Sequence, residues 1–220
     1  MTICAVQEVS PGCLKLTASE RPSFFIRVCY LDLLAEEKLT ALISYSLTEN
    51  DSQAEFSEEE SADIEQAAKS FLAEKCALGY IGRAEHCRFL LSRKLEQKGF
   101  SGTPAQKALD FLESKDFLSD LRYARAFLHS RALKNEGRTR LSAELKARGV
   151  KSEDAKKALD EYFCERDESE MCIAMCNKIK KQCADETKIY AKLLRAGFQA
   201  KTIRQALKAT KNLKSDSEGQ

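Results

Sequence analysis

The chain has no tryptophan and only two histidines, and no stretch of it approaches the roughly 18 uninterrupted apolar residues that a membrane-spanning helix needs. Each shortage excludes something. Without such a run no membrane partner is expected. The opening Met1-Thr2-Ile3-Cys4 lacks the basic start of a secretion signal, so a cytoplasmic protein is expected. Neither a G-x4-G-K loop nor a G-x-G-x-x-G turn occurs, which removes the common phosphate-cradling loops of nucleotide enzymes. His86 and His129 fall in helical patterns without a partnered nucleophile, so acid–base catalysis has no evident carrier. The expectation is a protein that is not an enzyme and holds no cofactor.

Charge is abundant, at 32% of residues, and it is unevenly placed. Residues 1–76 carry 6 Lys+Arg against 14 Asp+Glu, whereas residues 77–220 carry 30 against 20. A basic body behind an acidic leader points to a polyanion or an acidic protein surface as partner of the body. The alternative is that charged helices merely solvate their outer faces.

Repetition is the stronger signal. Leu91, Leu95, Gly99, Phe100, Ala108 and Leu109 return as Leu141, Leu145, Gly149, Val150, Ala158 and Leu159. They return again as Ile189, Leu193, Gly197, Phe198, Ala206 and Leu207. Such a period marks a helical repeat. Apolar residues four apart share a helix face, and glycine then ends the helix in the left-handed conformation. Start signals follow the first two glycines: Thr103 as a capping hydroxyl before Pro104, and Ser152-Glu153-Asp154 with acids in the first turn. The pattern predicts a mainly α protein of tandem three-helix repeats, forming an elongated curved array behind a small β-containing leader.

The predicted organisation has four parts. Residues 1–62 form the leader, with strands at Ile3–Val9, Cys13–Thr17 and Phe24–Tyr30. Asp32–Leu47 reads as a helix, although Ile43 to Leu47 alternates as a strand would. Asn50-Asp51-Ser52 and Ser57-Glu58-Glu59-Glu60 read as a polar linker before a helix from about Ser61 to Leu78. Residues 63–135 hold that helix and a first repeat (Ala84–Gln97, Pro104–Ser114, Asp120–Asn135). Residues 136–184 hold a second (Arg138–Ala147, Ser152–Cys164, Asp167–Cys183). Residues 185–220 hold a partial third and a polar tail from Lys214. An array with polar ends needs no second copy to close it, so a monomer is expected.

Nine cysteines without framework spacing fit reduced thiols. Cys172, Cys176 and Cys183 share one helical face, with Cys164 nearby, and soft sulfur favours zinc. Yet Met171, Met175 and Ile179 share the segment, and the same spacing makes an ordinary core stripe. Structural zinc ligands more often come from loop knuckles, so no metal is expected. The basic residues are the better lead. Arg122, Arg125, Arg131, Arg138, Arg140, Lys146 and Arg148 crowd the junction of the first two repeats. Gly137 precedes two arginines and Thr139 at a helix start, a group suited to phosphate or carboxylate oxygens. A solvated turn with surface ion pairs is the competing reading.

The junction resembles the RecX family, regulators of the bacterial RecA recombinase. Phe117-Leu118-Ser119-Asp120-Leu121-Arg122-Tyr123-Ala124 is similar to the family's y-l-D-D-x-r-f-A segment, with Ser119 in place of the first acid. Gly137 to Val150 is similar to its G-x-x-r-i-x-x-E-L-x-x-K-G-i segment, with Arg148 in the lysine place. Arg83, His86, Leu91, Lys94 and Leu95 fit the first-helix pattern, but Cys87 stands in its serine place and Leu90 in its glutamate place. The resemblance covers about residues 77–210 and implies tandem three-helix units that bind in the groove of the RecA–DNA filament. It implies contact with RecA and with the single-stranded DNA inside the filament, restraining ATP hydrolysis and strand exchange in recombination and repair. The alternative is a helical-repeat protein that binds DNA directly, without RecA.

Overall fold

The computed structural model describes residues 1–46 and 54–215. Leu47, the proposed loop residues Asn50-Asp51-Ser52 and the last residues of the polar tail lie outside the described residues. Two compact units are present: Met1–Ala84 with Leu91–Leu118, and Glu85–Leu90 with Ser119–Gln220.

The first unit opens with antiparallel strands β1 (Thr2–Ser10), β2 (Cys13–Ala18) and β3 (Arg21–Arg27). A short β4 (Ala54–Glu55) completes a sheet ordered β3-β2-β1-β4. The β1–β2 turn needs glycine, because Gly12 has φ 71° and its N–H donates to the Glu8 carboxylate at 2.9 Å. Alternation puts Ile3, Leu14, Leu16 and Ile26 on the inner face, fully buried with Leu39, Ile64 and Ala67. Leu39 lies on α1 (Leu33–Ser46), so the helical reading of that segment holds.

Helix α2 (Glu58–Ile81) is longer at both ends than the sequence suggests. The acids read as linker form its first turn, because Ser57 and Glu60 make a reciprocal capping box. Its buried Glu74 accepts two 2.6 Å hydrogen bonds from the Arg27 guanidinium and one of 3.0 Å from the Tyr30 hydroxyl. The hydrogen bond to Glu74 raises the Arg27 pKa, and burial first, then Glu74, raises that of Tyr30. A second cluster in this unit joins Ala77 to Leu91 and Leu95 of α3 (Arg88–Gln97) and to Leu109 and Leu112 of α4 (Thr103–Ser114).

The second unit holds α5 (Asp120–Arg131), α6 (Arg138–Ala147), α7 (Ser152–Cys164), α8 (Glu168–Lys180), α9 (Glu186–Arg195) and α10 (Ala200–Ser215). Its core includes Leu128, Leu141, Leu145, Leu159, Leu193 and Phe198. Cys172 and Cys176 belong to this core with Met171 and Ile179. The Cys172 thiol is pushed up to about 12, by burial first and then by neighbouring Cys176.

All three repeat glycines end their helices in the left-handed region, with φ of 86° at Gly99, 76° at Gly149 and 93° at Gly197. The next amide reaches back five residues each time: Phe100 to Leu95 at 2.9 Å, Val150 to Leu145 at 3.2 Å, and Phe198 to Leu193 at 3.3 Å. These are Schellman ends. The start after Gly99 differs from expectation. Thr103 is already helical, because Gly102 (φ 65°) takes the cap position of α4. Helix α7 begins at Ser152 with Glu153 and Asp154 in its first turn, as expected. The preceding N–H, of Lys151, donates to the Asp120 carboxylate at 3.3 Å, so a distant acid does the work of a local cap.

Glu74 is almost fully buried and holds two partners, so Glu74→Ala leaves Arg27 without its carboxylate. Urea unfolding should show a loss of about 3 kcal/mol or more. A loss within the roughly 0.5 kcal/mol of ordinary surface substitutions would contradict this reading of the pair.

Candidate partner and nucleic-acid interface

The seven basic residues expected at the interface all lie in the second unit, but they do not form one patch. Helix α5 is capped by Ser119, whose hydroxyl accepts the Arg122 N–H at 3.3 Å. Arg122 and Arg125 project from its early turns. Arg122 Nε meets Glu85 at 3.0 Å, and Arg125 makes a two-pronged pair with Glu161 at 2.7 Å on each prong. The hydrogen bond from Arg125 holds the exposed Glu161 carboxyl below its ordinary range and raises Arg125 in turn.

A second group sits where α5 ends and α6 begins. Arg131 lies 2.9 Å from Glu144 and 3.7 Å from Glu136, while Arg140 lies 3.3 Å and 3.2 Å from the same two carboxylates. Arg148 and Arg131 both lie over the Phe127 ring, at 4.6 Å and 5.1 Å. Their cations face aromatic quadrupole as well as acid. Burial raises the pKa of Tyr123, and the neighbouring Arg148 opposes that rise.

The third group is the most open to a ligand. Arg138, Ser142 and Lys146 recur every four residues along α6 and line a groove of about 220 Å³, with Ser152 and Lys156 on the α7 side. Three cations and two hydroxyls line it over apolar Val150, Ala155 and Leu159, with no carboxylate among the described lining residues. Lys146 and Lys156 are exposed. Arg138 is partly engaged, since its guanidinium pairs with Asp160 and its backbone N–H donates to Glu168 at 2.9 Å.

The sequence reading thus gathered residues that the fold separates, and it missed Lys156, Ser142 and Ser152. A signal for Ser142 was present, because residues 138, 142 and 146 keep helical spacing. Lys156 needed the packing of α7 on α6. Chemically, the groove suits a phosphate or carboxylate oxygen, which its cations meet as charges and its hydroxyls as donors. The exposed Arg125–Glu161 pair contributes little, about 0–1 kcal/mol, and competes weakly with such a ligand, whereas buried Glu136 holds Arg131 and Arg140 more firmly.

Cys87, in the first unexpected position, is fully buried, and its thiol donates to the Arg148 carbonyl at 3.1 Å. It therefore makes the kind of backbone hydrogen bond that a serine hydroxyl makes. Burial raises its pKa.

Glu161 gives a pH test. Its folded pKa is depressed, so its stabilising pair with Arg125 is present at neutral pH and is lost as pH falls through the folded value. Carboxyl NMR titration should place Glu161 below the ordinary 4.5, and Arg125→Gln should return it there. No change in that variant would contradict the pairing.

Similarities to known proteins bear on this geometry. Residues 119–159, which span α5 to α7, match the family model "RecX, second three-helix domain". The chain is 36% identical over 137 residues to the regulatory protein RecX of Prosthecochloris aestuarii, covering 60% of this chain and 88% of that one. It is 31% identical over 142 residues to the regulatory protein RecX of Treponema pallidum, covering 64% and 87%. A crystal structure of regulatory protein RecX superposes with a TM-score of 0.66 at 17% identity, over 93% of this chain and 98% of that one, which shows a shared fold. No helix among the described residues is long and apolar enough to cross a membrane. With most of two curated relatives' length matched at above 30% identity, the chain belongs to the RecX family.

Proposed function

We propose that this protein is a non-enzymatic regulator of the RecA recombinase, acting in the reducing cytoplasm as a monomer on the RecA–DNA filament. The observation that carries the reading is the α6–α7 groove. It falls inside the segment that matches the family model and offers Arg138, Lys146 and Lys156 without a lining acid among the described residues. A filament presents acidic protein surface and phosphate together, and several weak contacts along it add through effective concentration. The paired arginines Arg122, Arg125, Arg131 and Arg140, with Arg148, form the flanks of the contact. There they exchange internal carboxylates for those of the partner. The direction of regulation in this reading is inhibition, by bracing the filament against the turnover that strand exchange requires.

A second reading, direct binding to DNA without RecA, draws on the same groove. Lysines and hydroxyls beside a helix start fit the sugar-phosphate backbone and carry no base readout. The two readings part on salt and on partner. Direct binding makes affinity for bare DNA fall with log salt by a slope of about −0.9 per phosphate engaged.

Lys146→Glu with Lys156→Glu is the cleanest test, because both ammonium groups are exposed. Arg138→Glu with Arg140→Glu also breaks ion pairs inside the unit. Co-sedimentation with RecA–single-stranded DNA filaments should fall by about tenfold or more in the lysine variant, with the circular dichroism spectrum unchanged. Filament binding that is unaltered in the folded variant would remove the groove from the interface.

A further inference from the structure

The three glycine turns have the same backbone but not the same surroundings. At Gly149 a Cβ would fall under 3 Å from the Phe89 side chain, at the start of α3. At Gly197 it would fall under 3 Å from the backbone of Arg140, at the start of α6. Gly137 lies against the same turn, its N–H donating to the Ala196 carbonyl at 2.8 Å, and Thr139 donates to the Gly197 carbonyl at 3.3 Å. Two of the three turns are therefore covered by the N-terminus of another helix.

The covering segments share a chemistry. In each, a small residue, Cys87 or Gly137, precedes an arginine, Arg88 or Arg138; the close contact itself is made by Phe89 at the Gly149 turn and by Gly137 and Arg140 at the Gly197 turn. The N–H of each arginine is accepted by a carboxylate from a nearby helix start: Asp120 at 2.8 Å and Glu168 at 2.9 Å.

The Gly99 turn is different. Nothing among the described residues lies within 4 Å of a Cβ built there. The turn instead lines an open cleft of about 820 Å³ within the first unit, bounded across from it by α2. Asp32, Glu59 and Asp63 line the cleft with Lys69 and Lys107. The Lys107 ammonium is committed to the Tyr30 carbonyl at 2.7 Å and to Asp32 at 3.6 Å. Asp63 already accepts the Asp32 N–H at 2.8 Å through one oxygen, as Asp120 accepts from two helix starts, which leaves Glu59 and the second oxygen of Asp63 against Lys69.

We propose that the cleft at the Gly99 turn receives the N-terminus of a helix from a partner protein, one with a small residue at its cap and a cation in its first turn. Free N–H groups and the positive end of the helix dipole then meet Glu59 and Asp63. Charge argues against a second copy of this chain as occupant. The starts of α8 and α9 carry Asp167 and Glu168, and Asp185 and Glu186, where the covering segments carry a small residue and an arginine, and α10 has Gln199 in place of the small residue. Glu59 and Asp63 would repel the acids of α8 and α9.

The full chain, labelled with 15N, tests this with a synthetic peptide of residues 135–147 as the helix-start probe. The amides of Gly99, Ser101 and Thr103 should shift saturably, while those of Gly149 and Gly197 stay in place. Glu59→Lys with Asp63→Asn should weaken the probe by about tenfold or more, and a peptide carrying Gly137→Val should not bind. The proposal is overturned by a Gly99 amide that does not move at millimolar peptide. It is equally overturned by shifts confined to the Gly197 turn, where the peptide merely replaces α6, or by shifts undiminished in the folded charge variant.

Discussion

At Gly137 and Gly197 two backbones meet without side chains between them, and the order of the second unit depends on that contact. A Cβ on either glycine would collide with the other segment. Only in its absence can the Gly137 N–H reach the Ala196 carbonyl. The contact joins the start of α6 to the end of α9, and so fixes where α6 points its outer face. Arg138, Ser142 and Lys146 lie on that face. The position of the groove is thus a consequence of glycine chemistry some fifty residues away in sequence.

Carboxylates complete the arrangement. Asp120 is buried and serves two helix starts, accepting from Arg88 at 2.8 Å and from Lys151 at 3.3 Å. Glu168 serves the start of α6 from the corresponding place on α8. These acids neutralise N–H groups that would otherwise be unpaired at buried helix ends. A different set of acids, Glu85, Glu136, Glu144, Asp160 and Glu161, engages the arginine side chains of the unit. A surface that folds through Arg–carboxylate pairs still offers cations to a polyanion, because each exposed pair is individually weak. The regulator reading therefore asks the ligand to compete with pairs, and it places the least encumbered cations, Lys146 and Lys156, at the centre.

Sequence legibility follows the range of the interaction. The Schellman turns at Gly99, Gly149 and Gly197 were readable because apolar spacing, glycine and the next apolar residue are all local. The family resemblance rested on the same local motifs, at Asp120 to Ala124 and Gly137 to Val150. Helix α2 was read too short because Glu58-Glu59-Glu60 looks like a solvated charge run until Ser57 is seen closing a capping box with Glu60. The start of α7 at Ser152 was legible from Glu153 and Asp154, but the help it receives from Asp120, 31 residues away, was not. The basic cluster was legible as composition and not as a surface, since its partners are distant: Arg122 pairs with Glu85 across 37 residues, and Arg125 with Glu161 across 36.

The central claim is that the α6–α7 surface acts on the recombinase filament. The most direct measurement is the single-stranded-DNA-dependent ATPase rate of the cognate RecA as this protein is titrated in. The rate should fall at amounts well below one molecule per RecA protomer. An unchanged rate at saturation, with bare DNA still bound by the protein, would contradict it and leave direct DNA binding as the function of the groove.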